Sequence, residues 1–157
     1  MTMIALRPAV IDLVPRGERG IPGTNGDYDY ANRNLAIAAN ISPSRKTLRT
    51  GGYDIEGDGG DALYVRVGSQ PSHIGKFQSA DGGWWEIVVD DRLNVCQVGA
   101  KTTGDAYAAF NGARGVSKSL LVPGNKRFTL SQPLMLAADE DWKINGRVDG
   151  TFTSDGD

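Results

Sequence analysis

Apolar and polar positions divide the chain into short period-two runs separated by glycine. The sharpest run lies late in the sequence, where Trp142, Ile144, Gly146, Val148, Gly150 and Phe152 alternate with Lys143, Asn145, Arg147, Asp149, Thr151 and Thr153. Alternation of this kind predicts a strand, or a pair of strands, with one dry face. Asn145-Gly146 and Asp149-Gly150 are also hairpin-turn dipeptides, so a turn is expected to break the run. Residues 62–67 place Leu63, Val65 and Val67 on one face and Tyr64 and Arg66 on the other. Residues 84–89 form the next strand, and Asp90-Asp91 ends it. Glycine supplies the positive φ of tight turns, so Gly57, Gly59 and Gly60 predict a structural turn before the first strand and Asp81-Gly82-Gly83 one before the second. Together residues 48–89 read as a small antiparallel β unit.

Residues 93–98 alternate as a further strand, with Leu93, Val95 and Gln97 on one side and Cys96 and Val98 on the other. Strand-like pieces follow at 119–122, 128–130 and 134–136, bounded by Pro123-Gly124 and Pro133. Two short helices are expected. One covers residues 31–39, with Leu35, Ala36 and Ala39 at helical spacing and Pro43 beyond its end. The other covers 105–113, with Asp105 as its cap and Tyr107, Ala108, Phe110 and Ala113 beneath. The fold class is mainly β. An apolar-faced strand so near residue 157 looks unfinished, as it would in a stack of β coils that bury each rung on the next, so the chain is expected to continue.

Residues 1–30 are extended in character. Ile4, Leu6, Val10 and Leu13 lie in an apolar stretch interrupted by Pro8 and closed by Pro15. Gly17, Gly20, Gly23 and Gly26 then recur at every third position. That period permits three polyproline-type chains to share a crowded axis, because only glycine fits there. The four triplets are too few to hold by themselves, and a flexible glycine linker is the other reading.

Composition narrows the function more than the fold. With 17 Lys plus Arg against 19 Asp plus Glu, the formal charge is −2, which leaves no footprint for a nucleic-acid backbone. Mean hydropathy is −0.33 and no apolar run approaches a membrane span. Arg7 and Asp12 spoil a secretory signal in the first apolar stretch. One cysteine, Cys96, and one histidine, His73, exclude a disulfide framework and the usual zinc motifs.

No catalytic or metal-binding residue and no cofactor is expected. Residues 54–61 open like a calcium loop, with acids first, third and fifth and glycine sixth, but Asp61 and Val65 occupy the eighth and twelfth positions, where an apolar residue and a bidentate Glu are needed. Asp90-Asp91 and Asp139-Glu140-Asp141 read as solvated element ends rather than a hydrolytic carboxylate pair. Cys96 reads as a small buried hydrophobe and His73 as a turn residue. Trp84 and Trp85 are adjacent in a strand, so one is expected in the core and the other facing a glycan or a partner.

Four motifs together resemble the phage tailspikes of the pectate-lyase-like type. The run from Gly52 through Gly57-Asp58-Gly59-Gly60 to Tyr64 is similar to the glycine-aspartate signature ahead of their β-helix, and Asp81-Gly82-Gly83-Trp84-Trp85 is similar to a later tryptophan segment. Leu93-Asn94-Val95-Cys96-Gln97-Val98-Gly99-Ala100 resembles the lead-in to the β-helix. Leu121-Val122-Pro123-Gly124 with Phe128-Thr129-Leu130 resembles the rung that follows. The sequence departs from the pattern at Thr103-Gly104-Asp105-Ala106, where the family's motif is reduced, and in a shortened helix after it.

The resemblance implies three parts: a virion-attachment peptide over 1–30, a β-rich adaptor over 31–92, and the first rungs of a right-handed parallel β-helix, with a short capping helix, over 93–157. It implies a homotrimer in the virion tail, with Gly17, Gly20, Gly23 and Gly26 where three chains meet. Ile4, Leu6, Val10 and Leu13 would then dock by strand addition on a tail or baseplate protein. Host-surface glycan would be met by a part beyond residue 157. In that family glycan-cleaving carboxylates lie on later rungs or between subunits, so none is assigned here. A depolymerase fragment and a carbohydrate-binding module using Trp84 or Trp85 are the alternatives.

Overall fold

The computed structural model describes residues 28–154. After a first helix, α1 (Arg33–Ala38), four strands form one antiparallel sheet: β1 (Thr47–Thr50), β2 (Ala62–Val67), β3 (Lys76–Gln78) and β4 (Trp84–Ile87). Their order is β1-β2-β4-β3. Asn32 caps α1 by accepting from the Leu35 N–H at 3.0 Å. Cross-strand pairing of Leu48 with Tyr64, Tyr64 with Ile87, and Arg66 with Trp85 puts these residues on one face. That face is the buried one. The Phe77 ring lies edge-on to Tyr64 at 4.9 Å and stacks on Trp85 at 6.2 Å. The aliphatic row Leu63, Val65 and Val67 points outward instead, because alternation separates two faces but does not say which is covered.

The chain then winds into parallel coils. β5 (Leu93–Asn94) is followed by a 3-10 turn (Val95–Val98), helix α2 (Tyr107–Ala113), a first coil of β6 (Ser119–Val122), β7 (Arg127–Thr129) and β8 (Leu134–Leu136), and a second coil of β9 (Asp141–Ile144), β10 (Arg147–Asp149) and β11 (Phe152–Ser154). Each strand of the second coil pairs in parallel with its counterpart in the first. Leu120 meets Trp142, Arg127 meets Arg147 and Leu134 meets Phe152, so partners lie 22, 20 and 18 positions apart as the corners tighten. Leu93 extends the first ladder by pairing with Leu120. This is the parallel β-helix expected of stacked rungs.

Two expectations are corrected here. The run from Trp142 to Phe152 is three strands, and Asn145-Gly146 and Asp149-Gly150 are coil corners rather than hairpins. A Cβ on Gly146 would lie 2.2 Å from the Pro123 carbonyl oxygen, and one on Gly150 would lie 2.7 Å from Leu130 Cβ. Glycine is there for close approach to the corner of the preceding coil. Residues 93–98 are not one strand either. After two strand residues, Asn94 and Gln97 turn the backbone into the 3-10 helix through a capping box.

One hydrophobic core runs through both parts, from Tyr30, Ala36 and Leu48 to Leu120, Phe128 and Leu134. Phe110 on α2 closes the end of the coil by packing edge-on to Phe128 at 5.4 Å and stacking on Trp142 at 5.9 Å. Asp105 precedes α2 and accepts from the Tyr107 N–H at 3.0 Å and the Ser131 N–H at 2.9 Å, which ties the helix start to the first coil.

Candidate functional site

The feature that the sequence makes specific is the joint between sheet and coil. Gly57 and Gly59 take φ values of 78° and 86°, which turn the loop before β2 back on itself. Inside that turn the Asp58 carboxylate accepts from the backbone N–H groups of Tyr53 at 3.0 Å, Asp54 at 2.8 Å, Ile55 at 3.2 Å and Gly60 at 2.8 Å. Partial burial pushes its pKa up, but these four donors outweigh that and hold it below the usual carboxylate value. All of its acceptor capacity goes to the backbone. The acidic loop is therefore a self-closed turn, and among the described residues no group of three or more His, Cys, Asp or Glu could hold a metal ion.

The turn seats on the beginning of the coil. A Cβ on Gly60 would lie 2.6 Å from both the Cys96 carbonyl oxygen and Tyr53 Cβ, so the backbone can approach only without a side chain. Gly99, at φ 95°, gives the same clearance to the Tyr53 ring. Asn94 Nδ2 donates to the Gly59 carbonyl at 3.2 Å and Gln97 Nε2 to the Asp61 carbonyl at 2.7 Å. The two capping-box side chains thus serve the 3-10 helix with one end and the turn before β2 with the other. On the opposite side of the joint Ile74 packs on Gly112 of α2 and Val116 packs on Gly75. Arg92 reaches Asp141 of the second coil at 2.5 Å. Arg33 adds a bolt from α1: it sits over the Tyr53 ring at 5.1 Å and the Phe77 ring at 5.6 Å and donates to the Lys76 carbonyl at 2.6 Å.

A shallow cleft of about 230 Å³ lies beside the joint, lined by Tyr53, Asp54, Cys96, Lys101 and Lys126 among others. Lys101 and Asp54 pair across it at 2.6 Å. The Cys96 thiol is pushed up to about 11, chiefly by burial, which leaves it protonated and inert at neutral pH.

The two tryptophans separate as their adjacency requires. Trp85 is fully buried and donates from Nε1 to Ser79 Oγ at 2.9 Å, so it offers no ring to a glycan. Trp84 is half-buried on the outer face, with the Lys76 ammonium 5.9 Å from its ring centre. His73 accepts from the Gly75 N–H at 3.1 Å through Nδ1 and meets Glu86 at 2.7 Å through Nε2. Ile4, Leu6, Val10, Leu13, Gly17, Gly20, Gly23 and Gly26 lie outside the described residues.

Glu140 is the residue that sequence reasoning misplaced. Its side chain is fully buried rather than solvated, while Asp139 and Asp141 on either side are open. It accepts from Arg114 Nε at 2.7 Å and Trp142 Nε1 at 3.1 Å. Burial alone would raise its pKa, but the bonds from Trp142 and Arg114 prevail and lower it. The locked carboxylate clamps α2 to the second coil and has no room for a sugar. Its signal was present: Glu140 shares the parity of the inward residues Trp142, Val148 and Phe152.

No family model and no curated protein matches the sequence. Solved structures do match. The tailspike protein of Acinetobacter baumannii phage AM24 superposes with a TM-score of 0.52 at 20% identity, over 62% of this chain and 18% of that one. The enzymatically active domain of tailspike protein 4 from bacteriophage CBA120 superposes with a TM-score of 0.51 at 20% identity, over 77% of this chain and 16% of that one. This is a tailspike fold. The chain spans less than a fifth of the length of these two tailspikes.

Proposed function

We propose that the chain is the N-terminal adaptor of a trimeric phage tailspike, a virion structural unit that joins the receptor-binding part to the tail for host adsorption. The observation that carries this reading is the joint itself. An antiparallel sheet is keyed by Gly60, Asn94 and Gln97 onto the first coils of a parallel β-helix, so load on the coil passes through a continuous core into the sheet. The tailspike fold supports the same reading. Residues 1–30 supply the attachment peptide, residues 31–92 the adaptor and residues 93–157 the first rungs. The partners are two further copies of the chain, a tail or baseplate protein and, through a part beyond residue 157, a surface glycan.

Deleting residues 1–15 in the phage tests the anchor. The expected result is a tailspike that still folds and assembles but is missing from purified particles. Particles that keep the truncated protein at the normal level overturn the assignment.

A second reading has one observation in its favour: the structure matched from phage CBA120 is an enzymatically active domain. The whole protein would then be a polysaccharide-cleaving enzyme whose reactive carboxylates lie on later rungs. Turnover of a bacterial surface polysaccharide by the whole protein but not by residues 1–157 favours it.

A further inference from the structure

The cleft beside the joint holds a set of charges in which one cation lacks its anion. Both of its carboxylates are engaged: Asp58 by four backbone N–H groups, and Asp54 by Lys101 at 2.6 Å. Lys126 lines the same cleft, and its ammonium has no hydrogen-bond or ion-pair partner among the described residues. Yet this lysine is held in place. It is half-buried, and a Cβ on Gly59 would lie 3.0 Å from its Cε and 3.6 Å from its Nζ, so its stem runs along the turn before β2. Its charge is felt within the cleft: burial raises the pKa of the Cys96 thiol, and Lys126 opposes that rise. A lysine whose stem is already laid down has less rotamer freedom to lose when an anion arrives.

The rest of the lining narrows the anion. Thr102 and Thr103 are exposed, and neither hydroxyl has a partner among the described residues. They offer two neutral donors beside the ammonium. Tyr53 and Ile55 supply apolar surface, and Ile55 is 66% exposed, more than any other large hydrophobic among the described residues. At about 230 Å³ the cleft is smaller than the roughly 300 Å³ at which sites for drug-sized ligands begin. An oxyanion carried on a compact carbon body suits this combination better than a bare inorganic ion.

We infer that the cleft binds a small organic carboxylate, its oxygens on the Lys126 ammonium and the Thr102 and Thr103 hydroxyls, its carbon body against Tyr53 and Ile55. The site draws on both parts of the molecule. Tyr53 and Ile55 precede β2 of the sheet, whereas residues 102–103 and 126 belong to the coil. A ligand that needs both in contact stabilises their seating by mass action. The inference stands without any place in a virion.

Amide correlation NMR of the isotope-labelled full chain, titrated with sodium benzoate at constant ionic strength, tests it. Benzamide serves as the neutral ligand of the same shape, and inorganic phosphate as an oxyanion without a carbon body. The expected result is saturable shifts confined to residues 53–58, 99–103 and 126. Charge-assisted bonds to the carboxylate should make benzamide bind about tenfold more weakly or worse, and phosphate should also bind more weakly than benzoate. Lys126→Met keeps an apolar stem along Gly59 and removes the ammonium. It should weaken benzoate about tenfold while leaving the unfolding midpoint of the free protein near that of the parent. Unaltered benzoate affinity in Lys126→Met overturns the site, as does benzamide binding equally well. Shifts that are scattered or fail to saturate also overturn it. Phosphate binding as tightly as benzoate overturns the organic carboxylate as the ligand. Should Lys126→Met fail to fold, the comparison of benzoate with benzamide in the parent decides the matter.

Discussion

Gln97 links the two halves of the molecule through both ends of one side-chain amide. Its Nε2 donates to the Asp61 carbonyl at 2.7 Å, while its Oε1 accepts from the Asn94 N–H at 3.1 Å. The carbonyl belongs to the turn that leads into β2; the N–H belongs to the start of the coil. Gln97→Ala removes a cap and a docking bond at once, with an expected cost of about 2 kcal/mol. Urea unfolding followed by tryptophan fluorescence reads this loss, and a change below 0.5 kcal/mol would mean the joint does not depend on the amide.

The glycines of the turn before β2 should differ in their tolerance. Gly57, at φ 78°, has open space where a Cβ would go, so Gly57→Ala carries only the left-handed backbone cost of about 1 kcal/mol. Gly60 has backbone on two sides, and Gly60→Ala is expected to cost about 3 kcal/mol. Paired denaturation curves check the order. Equal losses would show that the turn does not seat on Cys96 as described.

Much of this architecture was legible. Alternation located β2 and the three strands of the first coil within a residue or so, and helical spacing found α2. The second coil was not resolved into strands because its corners, 145–146 and 150–151, each consume two residues. An even corner preserves parity, so inward residues keep alternating straight through the bend and three strands read as one. The segment 93–98 failed for a different reason. Its alternation is too short to tell a strand from a 3-10 turn, and the Asn94…Gln97 capping spacing was the better signal. The outward turn of Leu63, Val65 and Val67 depends on which face α1 and the coil cover, a tertiary choice that no local pattern carries.

Glu140 should behave as a structural clamp. Glu140→Ala leaves Arg114 and Trp142 Nε1 without their acceptor in a buried setting, and the expected loss is about 3 kcal/mol. Glu140→Gln keeps the shape and part of the bonding and should fall between it and the parent. Near-UV circular dichroism at Trp142 gives a local readout, and an unchanged spectrum in the alanine variant would refute the clamp.

Part of the acid sensitivity should trace to Asp81. Burial pushes its pKa up, but Ser79, the Ile41 N–H and Arg66 together bring it down to about 2 from 3.8. A carboxylate depressed in the folded state contributes stability that is fully present above its unfolded pKa and is lost as pH falls through its folded one. Stability should therefore decline between about pH 4 and pH 2 as Asp81 protonates and releases residues 41–42. Asp81→Asn should lower stability at pH 7 by about 2 kcal/mol and flatten this acid slope. A parent-like slope in the variant would assign the acid sensitivity to other carboxylates.

The place we propose for the chain is a virion tail. Immunogold electron microscopy of phage particles from a lysate that contains the chain, with antibody raised against residues 28–154, tests it directly. Gold at the distal tail, on spikes projecting from the baseplate, is the predicted result. Particles that carry no label, or carry it on the head, would contradict the account.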